Sequence, residues 1–308
     1  MPITDAITLD LFTVGRGLVS ASTLTLVGTC VFAALMPRWR QDSDDKSSFP
    51  AHVLARCWRL ALAATLALLV GHLFRVYGQV VSFLDPEEYF SLEAARTIVI
   101  DTTWGRGWIA QVVAAGLCVP LAIFAGRRPT LGLALLSTGA LAVVITAPLT
   151  GHAVEHPWGM AIGVGLHALH ILGGSVWVGT LFSMVGCGLM LARKSDAKAV
   201  ARMVRTFTPV ALTGAATAVA AGLLLAITYV GSFEDLWESE YGLVLMIKVG
   251  FLAFAMVLGG WNWKSVGPEL GTHPATLTLR WSASLELCFA ALLLAATAVL
   301  VALPAPGI

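Results

Sequence analysis

Eight apolar runs, each about 20 residues or longer, recur along this chain of 308 residues. About 20 apolar residues in an α-helix cross the hydrocarbon core of a bilayer, so each run predicts a transmembrane helix. A helix pairs its backbone polar groups internally, which lipid requires of any spanning segment. We place the spans near 11–36, 53–77, 106–125, 130–150, 158–192, 207–230, 241–263 and 281–303. They leave little room for a water-soluble domain. We therefore predict an all-α, polytopic membrane helix bundle that forms one integral membrane domain over residues 1–308.

The composition excludes an ordinary soluble protein. Hydrophobic residues make up 57% of the chain and charged residues 12%, against about 25% charged in soluble domains. We expect no nucleic-acid partner, and the net charge of +1 by itself says nothing about nucleic acid. The five cysteines are dispersed without CxxC spacing, so we expect packing residues and neither a disulfide framework nor a thiolate metal cage.

Charge predicts the orientation of the bundle. Fourteen of the 19 basic residues fall in or beside alternate connections: Arg38, Arg40, Lys46, Arg56, Arg59, Arg127, Arg128, Arg193, Lys194, Lys198, Arg202, Arg205, Lys264 and Arg280. By the positive-inside rule these connections are cytoplasmic. The opposite side is acidic, with Asp5, Asp10, Asp85, Glu87, Glu88, Glu93, Asp101, Glu155, Glu234, Asp235, Glu238 and Glu240. Eight spans then place both termini outside. In the outer loop 78–103, Pro86 and the acidic residues after it predict a short helix on the membrane surface.

Four of the seven histidines lie close together in sequence, at the start of the fifth span: His152, His156, His167 and His170. On the predicted topology all four belong to the outer half of the molecule. His72 joins them from the second span, at a depth of roughly 7–12 Å. Met160, His167 and His170 fall within about 80° of one helix face. An ionisable residue inside a membrane indicates a functional site by default.

Each of these residues also has a structural interpretation. A buried histidine is often a hydrogen-bonded packing residue, His156 fits a solvated loop, and Met160 fits core filling. Several imidazoles at one depth on one side are harder to explain as packing, so we predict a metal site. Imidazoles with a thioether and no intramembrane carboxylate beside them suit copper, with zinc as the weaker choice.

Two charged side chains lie within the predicted spans seven and eight. Lys248 should face the bundle interior or extend outward toward Glu238 or Glu240. Glu286 lies within reach of Asn262 and Arg280, and we expect it to pair with Arg280 or to line a cytoplasmic exit.

The chain resembles a known family, the copper resistance D (CopD) proteins of bacterial inner membranes. The similarity lies in the order of these motifs: Thr103-Trp104-Gly105-Arg106 with Trp108, Gly151-His152-Ala153, His170 with Trp177-Val-Gly179, Tyr241-Gly242 with Lys248, Asn262, Arg280, Glu286 and Pro304. The resemblance covers most of the chain.

The resemblance implies copper handling, usually copper movement from the periplasm toward the cytoplasm. It singles out His152 and His170 as ligands. Four further candidate ligands are predicted from their depth in the membrane and their helical face: His72, His156, His167 and Met160. Four other polar residues then either line the transport path or have a structural role: Arg106, Lys248, Asn262 and Glu286. Some members carry a fused CopC domain, so here we expect a separate periplasmic CopC-like partner.

Three functions remain open at the level of sequence, none of them enzymatic. The first is a copper transporter of the inner membrane with both termini periplasmic, passive or ion-coupled because no GxxxxGK[ST] motif occurs. The second is a b-type cytochrome, with haem held by His72 and either His167 or His170. The third is a copper receptor that binds the ion without moving it.

Overall fold

The computed structural model describes residues 11–40, 48–84 and 90–307, without the side chains of Arg40 and His152. Within these ranges the chain is helical and forms no β-strand. The longer helices are α1 Leu11–Arg40, α2 Phe49–Val81, α3 Leu92–Asp101, α4 Thr103–Arg127, α5 Pro129–Thr146, α6 Met160–Gly174, α7 Ala197–Val230, α8 Glu240–Trp261 and α9 His273–Leu300.

Eight segments of the described chain are long and apolar enough to cross a membrane, which confirms the predicted polytopic bundle. They are Leu11–Trp39, Phe49–Val81, Thr103–Arg127, Pro129–Thr150, Met160–Leu189, Lys194–Val230, Glu240–Glu269 and His273–Leu300. The sixth and eighth spans begin earlier than predicted, because the helical backbone continues beyond the apolar run. At the start of α9, the Thr272 hydroxyl accepts a hydrogen bond from the Ala275 N–H at 3.3 Å and caps the helix.

The fifth span is a helix with two interruptions. α6 passes into a π-helical turn at Ser175–Gly179, a short α segment at Thr180–Ser183 and a second π-helical turn at Met184–Leu189. Each π turn adds a residue to the helical repeat and so changes which side chains share a face. Such turns occur frequently at functional sites.

Helix α1 lies at the centre of the bundle and packs against α2, α5, α7, α9 and the fifth span. Its closest crossing is with the fifth span, where Gly28 meets Gly179. A Cβ atom at Gly28 would overlap the carbonyl carbon of Gly179, so the two backbones touch. Small residues allow such close approach between membrane helices.

The connection between α2 and α4 contains the predicted short helix, α3, and its position on the membrane surface stays a prediction. It begins after Ser91, whose hydroxyl accepts a hydrogen bond from the Ala94 N–H at 3.1 Å. Pro86 and the acidic residues beside it lie outside the described residues, as do Asp5, Asp10 and Lys46.

The two ends of the bundle are distinguishable by the loops that meet there. Ser48, Arg56 and Arg193 line one cavity at what we call the basic end. Gly151, Tyr241 and Ala305 line another cavity at what we call the histidine end.

Candidate functional site

A cavity of about 250 Å³ opens among the helices at the histidine end, and we call it the histidine cavity. Residues from α1, α2, α6, α7, α8 and α9 and from the segment after α5 line it. The side chains that carry its chemistry are Arg16, Arg75, Thr150, His167, His170, Tyr229, Tyr241 and Lys248.

His167 and His170 both donate a hydrogen bond from Nδ1 to a backbone carbonyl. His167 bonds to Gly163 at 2.9 Å within its own helix, and His170 bonds to Ala218 of α7 at 2.8 Å. A carbonyl oxygen only accepts, so Nδ1 carries the proton and Nε2 carries the lone pair. Metal-binding histidines have this arrangement, in which the second ring nitrogen fixes the tautomer and orients the ring.

The position of the His170 ring depends on Gly222 in α7. A Cβ atom at residue 222 would lie 2.9 Å from His170 Cε1, closer than van der Waals contact allows. The ring therefore occupies the space that a side chain would fill, which holds it against α7.

His156 belongs to an aromatic cluster beside the cavity. It is 4% exposed, and its ring makes edge contacts with Trp158 at 5.4 Å and Tyr229 at 5.8 Å. Its Nδ1 accepts the backbone N–H of Trp158 at 3.2 Å, so in the neutral ring the proton is on Nε2. In this conformation His156 offers no lone pair to a metal, and it does not line the histidine cavity.

The remaining predicted ligands either lie outside the cavity or have a side chain that the structure does not describe. His72 is 1% exposed within α2 and does not line the cavity, although Arg75, one turn further on, does. Met160 is 52% exposed at the start of α6. The side chain of His152 is not described, but Gly151 before it and Ala153 after it line the cavity. Arg106 is exposed at the start of α4.

The histidine cavity is positively charged, a property that the sequence did not lead us to expect. Arg16, Arg75 and Lys248 line it, and none of its described lining residues is a carboxylate. Lys248 thus faces the interior and not Glu238 or Glu240. The signal that was missed is Arg75, a second ionisable residue one helical turn from His72 in an apolar span.

Arg75 is held by neutral partners. Its guanidinium donates to Gln111 Oε1 at 2.8 Å and to Thr150 Oγ1 at 2.6 Å, and it is 5% exposed. Gln111 in turn donates to Thr150 Oγ1 at 2.9 Å. This network ties α2 and α4 to the segment that leads into His152.

A second cavity, of about 840 Å³, reaches from the basic end to Glu286, and we call it the Glu286 cavity. Glu286 is buried, and Asn262 Nδ2 donates to its Oε2 at 3.4 Å. Trp177, Met184 and Met256 line the same cavity. The two thioethers are soft donors that the sequence analysis did not single out.

The expected pairing of Glu286 with Arg280 is wrong. Arg280 Nη2 donates to the carbonyls of Leu189 at 2.7 Å and Ala192 at 3.1 Å. These carbonyls stand at the end of the fifth span, where a helix leaves acceptors without intrahelical partners. The guanidinium satisfies them, and Glu286 faces the cavity with Asn262.

No three histidine, cysteine, aspartate or glutamate side chains converge on one point within the described part of the chain. In the histidine cavity the described nitrogen ligands are the two imidazoles of α6.

The fold and these cavities define a polytopic helical membrane protein with histidines facing one end and a buried carboxylate facing the other. Residues 6–162 match the family described as "Copper resistance protein D-like, N-terminal domain", and residues 201–300 match "Copper resistance protein D". The chain therefore belongs to the copper resistance D family, as its motifs predicted.

One curated relative is the "Copper transport protein CutJ" of Bacillus subtilis (strain 168). It is 29% identical to this chain over 224 residues, which cover 68% of the chain and 39% of the relative. The chain thus spans well under half the length of this relative. No solved structure matches the chain.

Proposed function

We propose that this protein moves copper across the bacterial inner membrane, from the periplasm toward the cytoplasm, without catalysing a chemical reaction. In this proposal the histidine end and both termini are periplasmic, and copper is the cargo. The observation that carries it is the pair His167 and His170, whose Nδ1–H groups bind carbonyls and leave Nε2 as the lone-pair nitrogen in one cavity.

His152 completes the proposed acceptor. It stands between two residues that line the cavity, so copper from the periplasm passes it before reaching α6. His72, His156 and Met160 remain predicted ligands, and each needs a conformation in which it faces the cavity. Arg106, exposed at the same end, is proposed as a structural polar residue.

The charge of the cavity favours Cu(I) over Cu(II). Arg16, Arg75 and Lys248 repel any cation, and Coulomb repulsion of a divalent ion is twice that of a monovalent ion at the same distance. Imidazole is a suitable ligand for copper. Transport also requires that the ion leave again, and repulsion of this kind keeps binding reversible.

The two cavities supply the ends of a path. Trp177 follows His170 by seven residues, roughly 10 Å along the helix, and lines the Glu286 cavity. Between them the helices are closed, because Gly173 packs against Ala218 and Gly214 against Trp177. We propose that α6 and α7 move relative to each other, so that copper passes from the imidazoles to Met184, Met256 and Glu286.

A periplasmic CopC-like protein is the proposed donor. The donor would bind at the histidine end. There the loop between α5 and α6 lines the cavity through Gly151 and Ala153, on either side of His152. Glu155 and Glu234 are exposed at the same end, where they would attract positively charged groups of the donor.

Haem binding is not the function that the geometry favours. His72 does not line the cavity of His167 and His170, so these histidines do not face one another across it. The cavity volume of about 250 Å³ is also below the range of about 300–1,000 Å³ typical of drug-sized ligands.

Copper uptake into proteoliposomes tests the proposal. We expect His170→Ala and His152→Ala to reduce the uptake rate at least about tenfold, since a lost second-shell partner alone costs roughly 10–100-fold in metal affinity. His273→Ala at the basic end serves as the control and should transport like the parent. Unchanged flux in both histidine variants would refute the mechanism, and binding without flux in the parent would identify a copper receptor.

A further inference from the structure

Two cysteines from separate spans meet near the basic end. Cys57 of α2 and Cys187 of the fifth span are both buried, 0% and 1% exposed, in the same core cluster. The two side chains interact with each other in this cluster, where α2 packs against the π-helical turn Met184–Leu189. They are 130 residues apart in the sequence, so the dispersed spacing of the cysteines did not indicate the pair.

The buried pair lies beside a cavity. Cys187 lines a cavity of about 1,020 Å³ at the basic end, and Cys57 lies behind it in the core. Cys187 belongs to the π-helical turn Met184–Leu189, between Gly186 and Gly188. The non-α geometry of this turn brings Cys187 between the core and the cavity.

The charge around the pair is positive. Arg56 and Arg59 line the same cavity, are exposed, and interact electrostatically with Cys187. Guanidinium groups near a cysteine are a recurring feature of thiolate sites, since they offset the negative charge that appears when the proton leaves.

We infer that Cys57 and Cys187 form a second copper site, which binds Cu(I) through two thiolates at the basic end. Thiolates are soft ligands that select Cu(I). Two cysteines that interact in one core cluster are placed to hold one ion between them. The inference rests on the proposed copper function for the identity of its metal, but it requires none of the histidines.

Binding is a proton exchange in which no electron moves. Each thiol loses its proton, and both protons leave to water through the cavity that Cys187 lines. The two sulfurs bind one Cu(I) ion, so two protons leave for each ion bound. The resulting copper dithiolate has a net charge of −1, which Arg56 and Arg59 balance. In the transport direction proposed above, this site holds copper after it has crossed the membrane.

The test is Cu(I) binding by the purified full-length protein in detergent, anaerobic and reduced, in competition with a chromophoric Cu(I) chelator. We expect Cys57→Ser and Cys187→Ser each to weaken the site at least about 100-fold, beyond the 10–100-fold cost of losing an outer-shell partner. Cys118→Ser, buried in the other core cluster, and Cys288→Ser, exposed, are the matched controls and should bind like the parent.

X-ray absorption of the parent loaded with one Cu(I) ion gives a measurement that does not depend on the stability of a variant. Two-coordinate sulfur ligation, retained in His170→Ala, supports the dithiolate site whether or not the histidines transport copper. Copper ligated by nitrogen alone in the parent, or unchanged affinity in both cysteine variants, would overturn it. If His170→Ala loses transport but keeps sulfur-ligated copper, the result separates the cysteine site from the proposed transport through the histidines.

Discussion

At the level of single residues, the histidine cavity combines metal-binding groups with groups that repel a metal. His167 and His170 offer Nε2 lone pairs, while Arg16, Arg75 and Lys248 place positive charge along the same walls. Arg75 is committed to Gln111 and Thr150, and Arg16 donates to the Val301 carbonyl at 2.7 Å. Lys248, by contrast, has no hydrogen-bond or ion-pair partner among the described residues, so its charge acts on the cavity directly.

We predict that Lys248→Leu strengthens copper binding in the histidine cavity about 30-fold. Two unit charges about 8 Å apart interact by about 2 kcal/mol at an effective dielectric constant of 20, and the substitution removes that repulsion without adding a copper ligand. Lys264→Leu is the control, because Lys264 is exposed at the basic end. Isothermal titration with Cu(I) measures the affinity, and weaker binding in Lys248→Leu would show that the lysine assists the site.

At the level of helices, the crossing of α1 with the fifth span organises the bundle. The contact of Gly28 with Gly179 brings the backbones together at the first π turn, between the two cavities. Close packing of this kind depends on van der Waals contact, since apolar surface gains little by leaving lipid for another helix.

Gly28→Ala should therefore destabilise the protein by about 3 kcal/mol or more, at the upper end of the usual cost of overpacking. Gly17→Ala, on the same helix, should be nearly neutral, because its nearest neighbour would be Ala298 Cβ at 3.7 Å. Thermal unfolding in detergent compares the two variants. Equal melting temperatures for both would show that the crossing tolerates a methyl group.

At the level of the whole molecule, the cavities lie at opposite ends and are lined by different chemistry. The histidine cavity has imidazoles and three positive side chains, whereas the Glu286 cavity has one buried carboxylate and one arginine, Arg205, with Asn262 and two methionines. The second cavity therefore repels a cation less than the first, and this difference favours movement from the histidine end to the basic end.

Glu286→Gln tests this separation of roles. We expect copper uptake into proteoliposomes to fall several-fold while Cu(I) binding in the histidine cavity stays within about twofold of the parent. The reason is that the substitution removes the attracting charge at the far end only. Glu269→Gln, an exposed carboxylate at the basic end, should change neither quantity. Parallel loss of binding and flux would place Glu286 in the structural core and not on the path.

The helices were predictable because each span is determined by local composition. The apolar runs gave all eight spans, and the errors lie at the ends, where α7 and α9 begin before the predicted apolar runs. Helical phase likewise brought His167 and His170 together in prediction. It did not account for Met160, which lies at the exposed first turn of α6.

Contacts between distant segments were not predictable in this way. Arg280 was expected to pair with the nearest carboxylate in sequence, but it binds the carbonyls that end the fifth span. Cys57 and Cys187 were predicted to be dispersed packing residues, and the tertiary structure places them in one core cluster.

The sequence by itself determined the membrane class, the number of spans, the family and the segment that holds the intramembrane histidines. All of these follow from local composition, periodicity and motif order. Only the tertiary structure decided which histidines share a cavity, that the cavity is positively charged, and which cysteines meet. The physical reason is that these properties depend on how helices cross and rotate against one another. That packing is set by small residues such as Gly28, Gly179 and Gly222, whose partners lie far away in the chain.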